Sequence, residues 1–66
     1  MQVYINDKAL ECPENATLRE ALETNGIETR HVAVAVDLTV IPRGEWDTTR
    51  LKDGSKIIII KAVQGG

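Results

Sequence analysis

Four consecutive isoleucines, Ile57 to Ile60, constrain this chain more than any other feature. β-Branched side chains are stiff about χ1 and suit a pleated surface, so the run reads as a buried strand. Strand residues face alternate sides of a sheet, so isoleucine lies on both faces here. A strand this apolar belongs in the middle of a sheet. The rest of the chain must therefore pair with its two edges and cover at least one face. Only 66 residues are present to do this, enough for one domain. A domain of that size buries only ~60% of its unfolded surface. The lone Cys12 allows no internal disulfide, and Cys12 with His31 cannot complete a structural zinc site. Stability must come from a compact apolar core or from partners, and most of the 42% hydrophobic content is aliphatic, with Phe absent.

The preceding segments supply the partners. Met1, Val3 and Ile5 alternate with Gln2, Tyr4 and Asn6, which predicts a strand over 1–6. Asn6-Asp7 is a turn signal, and Ala9 to Cys12 reads as the second strand of a hairpin, with Leu10 and Cys12 on one face. Pro13 lacks an N–H and stops the pairing. Thr17-Leu18-Arg19-Glu20 has the form of a capping box. Leu18, Ala21 and Leu22 follow on one helical face, Gly26 can supply the left-handed cap, and Ile27 can fold back on Leu22. These signals predict a helix of about two turns over 17–25, too short to persist without packing.

Val32 to Val36 is a third strand, with valines on one face and alanines on the other. Asp37-Leu38-Thr39 turns into a short strand at Val40-Ile41, which Pro42 ends. Residues 43–51 are polar and irregular, with one helical turn around Trp46. Asp53-Gly54 is a strong turn before the last strand, 56–62. A lone helix after a hairpin must cover one face of the sheet. The fold class expected is α+β, a β-grasp arrangement with a mixed sheet of four to five strands and one helix packed on one face. Residues 1–62 form the domain, and 63–66 are expected to be a flexible C-terminal Gly-Gly tail.

Several functions are disfavoured. The formal net charge is -2, no basic stretch exists, and Tyr4 and Trp46 are the only aromatics, so no stacking platform for nucleic acid is present. The first residues do not resemble a signal peptide, and no apolar run approaches a membrane span. With a free cysteine, these features lead us to expect a cytoplasmic protein that engages no membrane.

Two readings of Gly65-Gly66 are open: an inert end, or an arm that works. At an average glycine usage of ~7%, the pair arises by chance in roughly 0.5% of cases. Glycine lets backbone approach another surface closely, so such an arm can enter a narrow site and present an unhindered carboxylate. That carboxylate needs activation, which nothing else in the chain supplies. Val63-Gln64 would be the exit from the sheet. Cys12, flanked by Glu11 and Glu14, reads as a small buried hydrophobe, and His31 as a solvated edge residue. Trp46 fits either a core plug or an interface. Of the isoleucines, either Ile57 and Ile59 or Ile58 and Ile60 should face away from the helix. A bare apolar face there would mark a docking surface for a partner.

Val32-Ala33-Val34-Ala35-Val36, Val40-Ile41-Pro42-Arg43, Trp46, Leu51, Asp53-Gly54 and Ala62-Val63-Gln64-Gly65-Gly66 together resemble the ThiS-type sulfur carriers of thiamine biosynthesis, within the ubiquitin-like β-grasp family. The resemblance covers nearly the whole chain. It departs at Asn6-Asp7, where the family commonly has Asn-Gly. The resemblance implies that the chain is not an enzyme and binds no cofactor. An E1-like adenylyltransferase of the ThiF type would use ATP and Mg²⁺ to adenylate the Gly66 carboxylate. A persulfide sulfur donor would then leave a thiocarboxylate, which a ThiG-type thiazole synthase consumes. Gly66 is then the carrier residue and Gly65 its slim neighbour, with Ile57 to Ile60, Val63 and Gln64 as partner-binding candidates. Rival readings are a molybdopterin synthase small subunit, usually longer and containing Phe, a ubiquitin-like protein modifier, and a non-reactive interaction module.

Overall fold

The computed structural model describes residues 1–61. The expected tail at 63–66, and the domain boundary at Ala62, lie outside the described residues. Strands β1 (Gln2–Ile5) and β2 (Lys8–Glu11) form a hairpin, and helix α1 (Leu18–Thr24) follows. A second hairpin joins β3 (Val32–Val36) to β4 (Thr39–Ile41). A 3-10 turn (Arg43–Glu45) and β5 (Lys56–Lys61) complete the order. The sheet runs β2-β1-β5-β3-β4, which puts the isoleucine strand in the centre as its composition requires. β5 is parallel to β1 and antiparallel to β3, so the sheet is mixed.

Both hairpin turns are tighter than their sequences suggest. Asn6 and Asp7 have φ of 49° and 70°, and Asp37 and Leu38 have φ of 48° and 73°. Two central residues with positive φ match the right-handed twist of the flanking strands, so two residues suffice to connect them. The expected 9–12 strand therefore begins a residue earlier: Lys8 already pairs with Ile5, and Cys12 drops out of the strand. The Cys12 N–H still donates to the Met1 carbonyl at 2.9 Å. For the same reason β4 includes Thr39, opposite Val36.

The helix has the ends its sequence specifies. The Thr17 hydroxyl accepts from the Glu20 N–H at 3.2 Å, and the Glu20 carboxylate accepts from the Thr17 N–H at 2.8 Å. At the other end Gly26 takes φ 67°. Its N–H donates to the Glu23 carbonyl at 3.1 Å and that of Ile27 to the Leu22 carbonyl at 2.9 Å, the paired bonds of a Schellman ending. Leu18, Ala21 and Leu22 are buried against one face of the sheet, where Val3, Ile5, Val34 and Ile57 meet them. Burial of each leucine contributes about 1.5–3 kcal/mol, which holds a helix of this length in place.

Trp46 belongs to this core. It is 1% exposed, and its indole N–H donates to the Ile41 carbonyl at 3.0 Å. The guanidinium carbons of Arg43 and Arg19 lie 4.5 and 5.6 Å from the ring centroid. Arg43 also donates to the Thr29 carbonyl, tying the loop after the helix to the 3-10 turn. Among the described residues no helix is long and apolar enough to cross a membrane.

Candidate functional site

The site of interest is the end of β5, from which residues 62–66 continue. Its two edges are held unequally. On the β3 side the register runs from Val36 opposite Ile57 to Val32 opposite Lys61, so the ladder reaches the end of the strand. On the β1 side only Tyr4–Lys56 and Ile5–Ile57 pair, because β1 turns away at Asn6. Asn6 partly makes up the difference. Its N–H donates to the Ile57 carbonyl at 2.9 Å, and its side-chain Oδ1 accepts from the Ile59 N–H at 2.8 Å. The strand is thus fixed on one side as far as Ile59 and on the other as far as Lys61.

The four isoleucines divide by parity. Ile57 is wholly buried and offers nothing to a partner, whereas Ile59 packs against the same core but is only half-buried. Ile58 and Ile60 lie on the opposite face, and Ile60 is 49% exposed. Register places Ala35 beside Ile58, Ala33 beside Ile60, and Val40 beside Ala35. Val40 is 61% exposed. The small alanines between the larger side chains leave a low apolar strip across three strands. Leu38, at the tip of the adjoining hairpin, is 93% exposed despite its positive φ. The remaining candidates, Val63, Gln64, Gly65 and Gly66, lie outside the described residues.

Among the described residues the other titratable groups do not assemble into a catalytic unit. Cys12 is buried, and this pushes its thiol pKa up, with the α-ammonium of Met1 opposing. That ammonium donates to the Cys12 carbonyl at 2.8 Å and pairs with Glu14 at 3.3 Å. His31 is exposed at the start of β3. Among the described residues no group of three His, Cys, Asp or Glu side chains could hold a metal ion. Asn6 is the residue that sequence reasoning missed. Its turn propensity was visible, but its bond to Ile59 joins residues 53 positions apart in the chain.

Comparison with known proteins gives a consistent result. The ThiS family model matches residues 3–66. The chain is 30% identical over 66 residues to the sulfur carrier protein ThiS of Escherichia coli (strain K12), with all of both chains covered. It is similar to the crystal structure of the thiamine biosynthesis protein ThiS from Geobacter metallireducens, with a TM-score of 0.86 and 25% identity over the whole of both chains. A solution structure of a thiamine biosynthesis protein from the same organism gives a TM-score of 0.74 at 25% identity, covering 100% of this chain and 88% of that one.

Proposed function

Because the chain belongs to the ThiS family, and so is a sulfur carrier of thiamine biosynthesis rather than an enzyme, we propose that it carries sulfur on the carboxylate of Gly66. An E1-like adenylyltransferase of the ThiF type binds ATP and Mg²⁺. A Gly66 carboxylate oxygen attacks the α-phosphorus, and pyrophosphate leaves. The terminal sulfur of a persulfide donor then attacks the acyl carbon and displaces AMP. A thiol reductant cleaves the S–S bond of that adduct, leaving sulfur on the acyl carbon as the thiocarboxylate. A ThiG-type thiazole synthase takes this sulfur into the thiazole ring. Gly65, without a Cβ, lets the partner's site close around the arm, and Val63 and Gln64 contribute partner contacts. We place these steps in the cytosol.

The observation that carries this reading is the clamping of β5 by Asn6 on one edge and β3 on the other, immediately before residues 62–66. A carrier needs a firm base for its arm and no chemistry of its own. The apolar strip of Ile58, Ile60 and Val40 supplies the docking face. Intact-mass spectrometry after incubation with ATP, a ThiF-type enzyme and a cysteine sulfur source tests the proposal. Replacement of one oxygen by sulfur at the C-terminus is expected. An unchanged mass, or attachment of the chain to lysines of other proteins, would overturn it.

A further inference from the structure

An open groove of about 380 Å³ lies between the end of α1, the β1–β2 hairpin and the end of β5. Ile5, Leu10, Ile27 and Ile59 contribute its apolar lining, and Lys8 and Lys61 border it. Among the described residues, the ion pairs use Met1, Arg19 and Arg30 as cations, and neither of these lysines. Glu28 also lines the groove, but Arg30 holds its carboxylate. That carboxylate accepts from the Arg30 N–H at 2.9 Å and from its Nε at 3.3 Å, which pushes the Glu28 pKa down. The groove therefore presents two lysines that no described carboxylate neutralises, beside an apolar surface.

Its border on β5 is an unfinished ladder. The Ile57 carbonyl and the Ile59 N–H both point to the β1 side, where Asn6 meets them. Strand geometry aims the Ile59 carbonyl and the Lys61 N–H the same way, and β1 has already turned off there. Open ladder positions are templates for an added strand.

We propose that an extended acidic segment of a protein partner adds to β5 at Ile59–Lys61, with carboxylates against Lys8 and Lys61 and an apolar side chain on Leu10 and Ile27. This rests on the carrier reading, in which a partner must receive the residues that follow Lys61. Main-chain bonds give such an addition its affinity, and alternate side chains give its specificity. The unneutralised lysines select an acidic partner segment over a basic one.

The probe is a ThiF-type adenylyltransferase from the same organism, used with the full chain. On complex formation the Lys61 amide should exchange with solvent at least about tenfold more slowly, as a new ladder bond requires. Lys8→Glu should raise the carrier KM in pyrophosphate exchange by about tenfold and weaken its salt dependence. Lys52→Glu, at an exposed position outside the groove, should leave KM unchanged. Lys8 distinguishes strand addition from simple capture of the arm, because it stands on β2, not on the strand that leads to the arm. An unchanged Lys61 amide with Lys8→Glu within about twofold of wild type would overturn the proposal. Protection of Lys61 that arises with concentration of the carrier alone would assign the groove to a second copy and also overturn it. Absence of pyrophosphate exchange with the unaltered chain would instead defeat the carrier reading, and this inference with it.

Discussion

The Asn6 side chain accepts a hydrogen bond from the Ile59 N–H at 2.8 Å, after its own strand has stopped pairing with β5. A side-chain carbonyl thereby stands in for the next backbone carbonyl of β1. Asn is suited to this position because it also tolerates the φ of 49° that starts the turn.

Asn6→Gly should separate these two contributions. Glycine keeps the turn geometry and removes the side-chain acceptor. Stability in urea should fall by about 1 kcal/mol, and the Ile59 amide should exchange faster while the amides of Ile58 and Ile60, which face β3, change little. Asn6→Asp, which retains the acceptor oxygen, should keep Ile59 protected.

Ile60 and Ile57 should respond in opposite ways to a charge. Ile57→Asp places an unpaired carboxylate at a wholly buried position and should prevent folding, as judged by circular dichroism. Ile60→Asp changes a position that is 49% exposed and should cost about 1 kcal/mol or less. Its expected effect is on adenylation by the activating enzyme, where KM should rise. An unchanged KM would remove the apolar strip from the docking account.

Leu38 should be more stable as glycine. It occupies the second central position of a two-residue turn at φ 73°, where a side chain costs about 1 kcal/mol, and at 93% exposure it regains nothing by burial. Leu38→Gly should raise the urea midpoint with m unchanged. If the exposed leucine contacts a partner, the same substitution should weaken adenylation, and the two measurements should move in opposite directions.

Cys12 should be silent in the native protein. Burial raises its pKa, so less thiolate is present at any given pH than in the unfolded chain. The folded state then holds the proton more tightly. This contribution to stability is complete below the unfolded thiol range, about pH 8.5, and is lost as pH rises through that range toward the folded pKa. Denaturation in urea on the alkaline side should show the decline, and Cys12→Ser should flatten it. Under native conditions a thiol reagent should label a C-terminal thiocarboxylate and spare Cys12; equal labelling of both would contradict the burial.

Much of this architecture could be read from local signals. Thr17, Glu20, Gly26 and Ile27 specify both ends of the helix within a few residues of each other, so the sequence contains the whole argument. The central place of β5 follows from four isoleucines that no edge strand would carry. Three features were not legible. Which isoleucines face inward depends on register with β1 and β3, and hence on two hairpin turns far away in sequence. Whether Trp46 was core or interface depended on the Ile41 carbonyl and on two arginines, one from α1 and one from the 3-10 turn. The role of Asn6 depended on strand order. All three are consequences of long-range pairing, which no window of sequence contains.

The strand order also governs how the molecule is made. β5 separates β1 from β3 and joins both hairpins into one sheet, yet it is synthesised after every element it joins. Until β5 emerges, the segments of both hairpins and of the helix lack the strand that joins them and have no shared core to hold them folded. A product that stops before Ile57 lacks the middle strand and the side chain around which Val3, Ile5 and Val34 close. Premature termination therefore yields a chain that is open to proteolysis. Cells would be cleared of partial chains before one could occupy an activating enzyme without an arm to be charged.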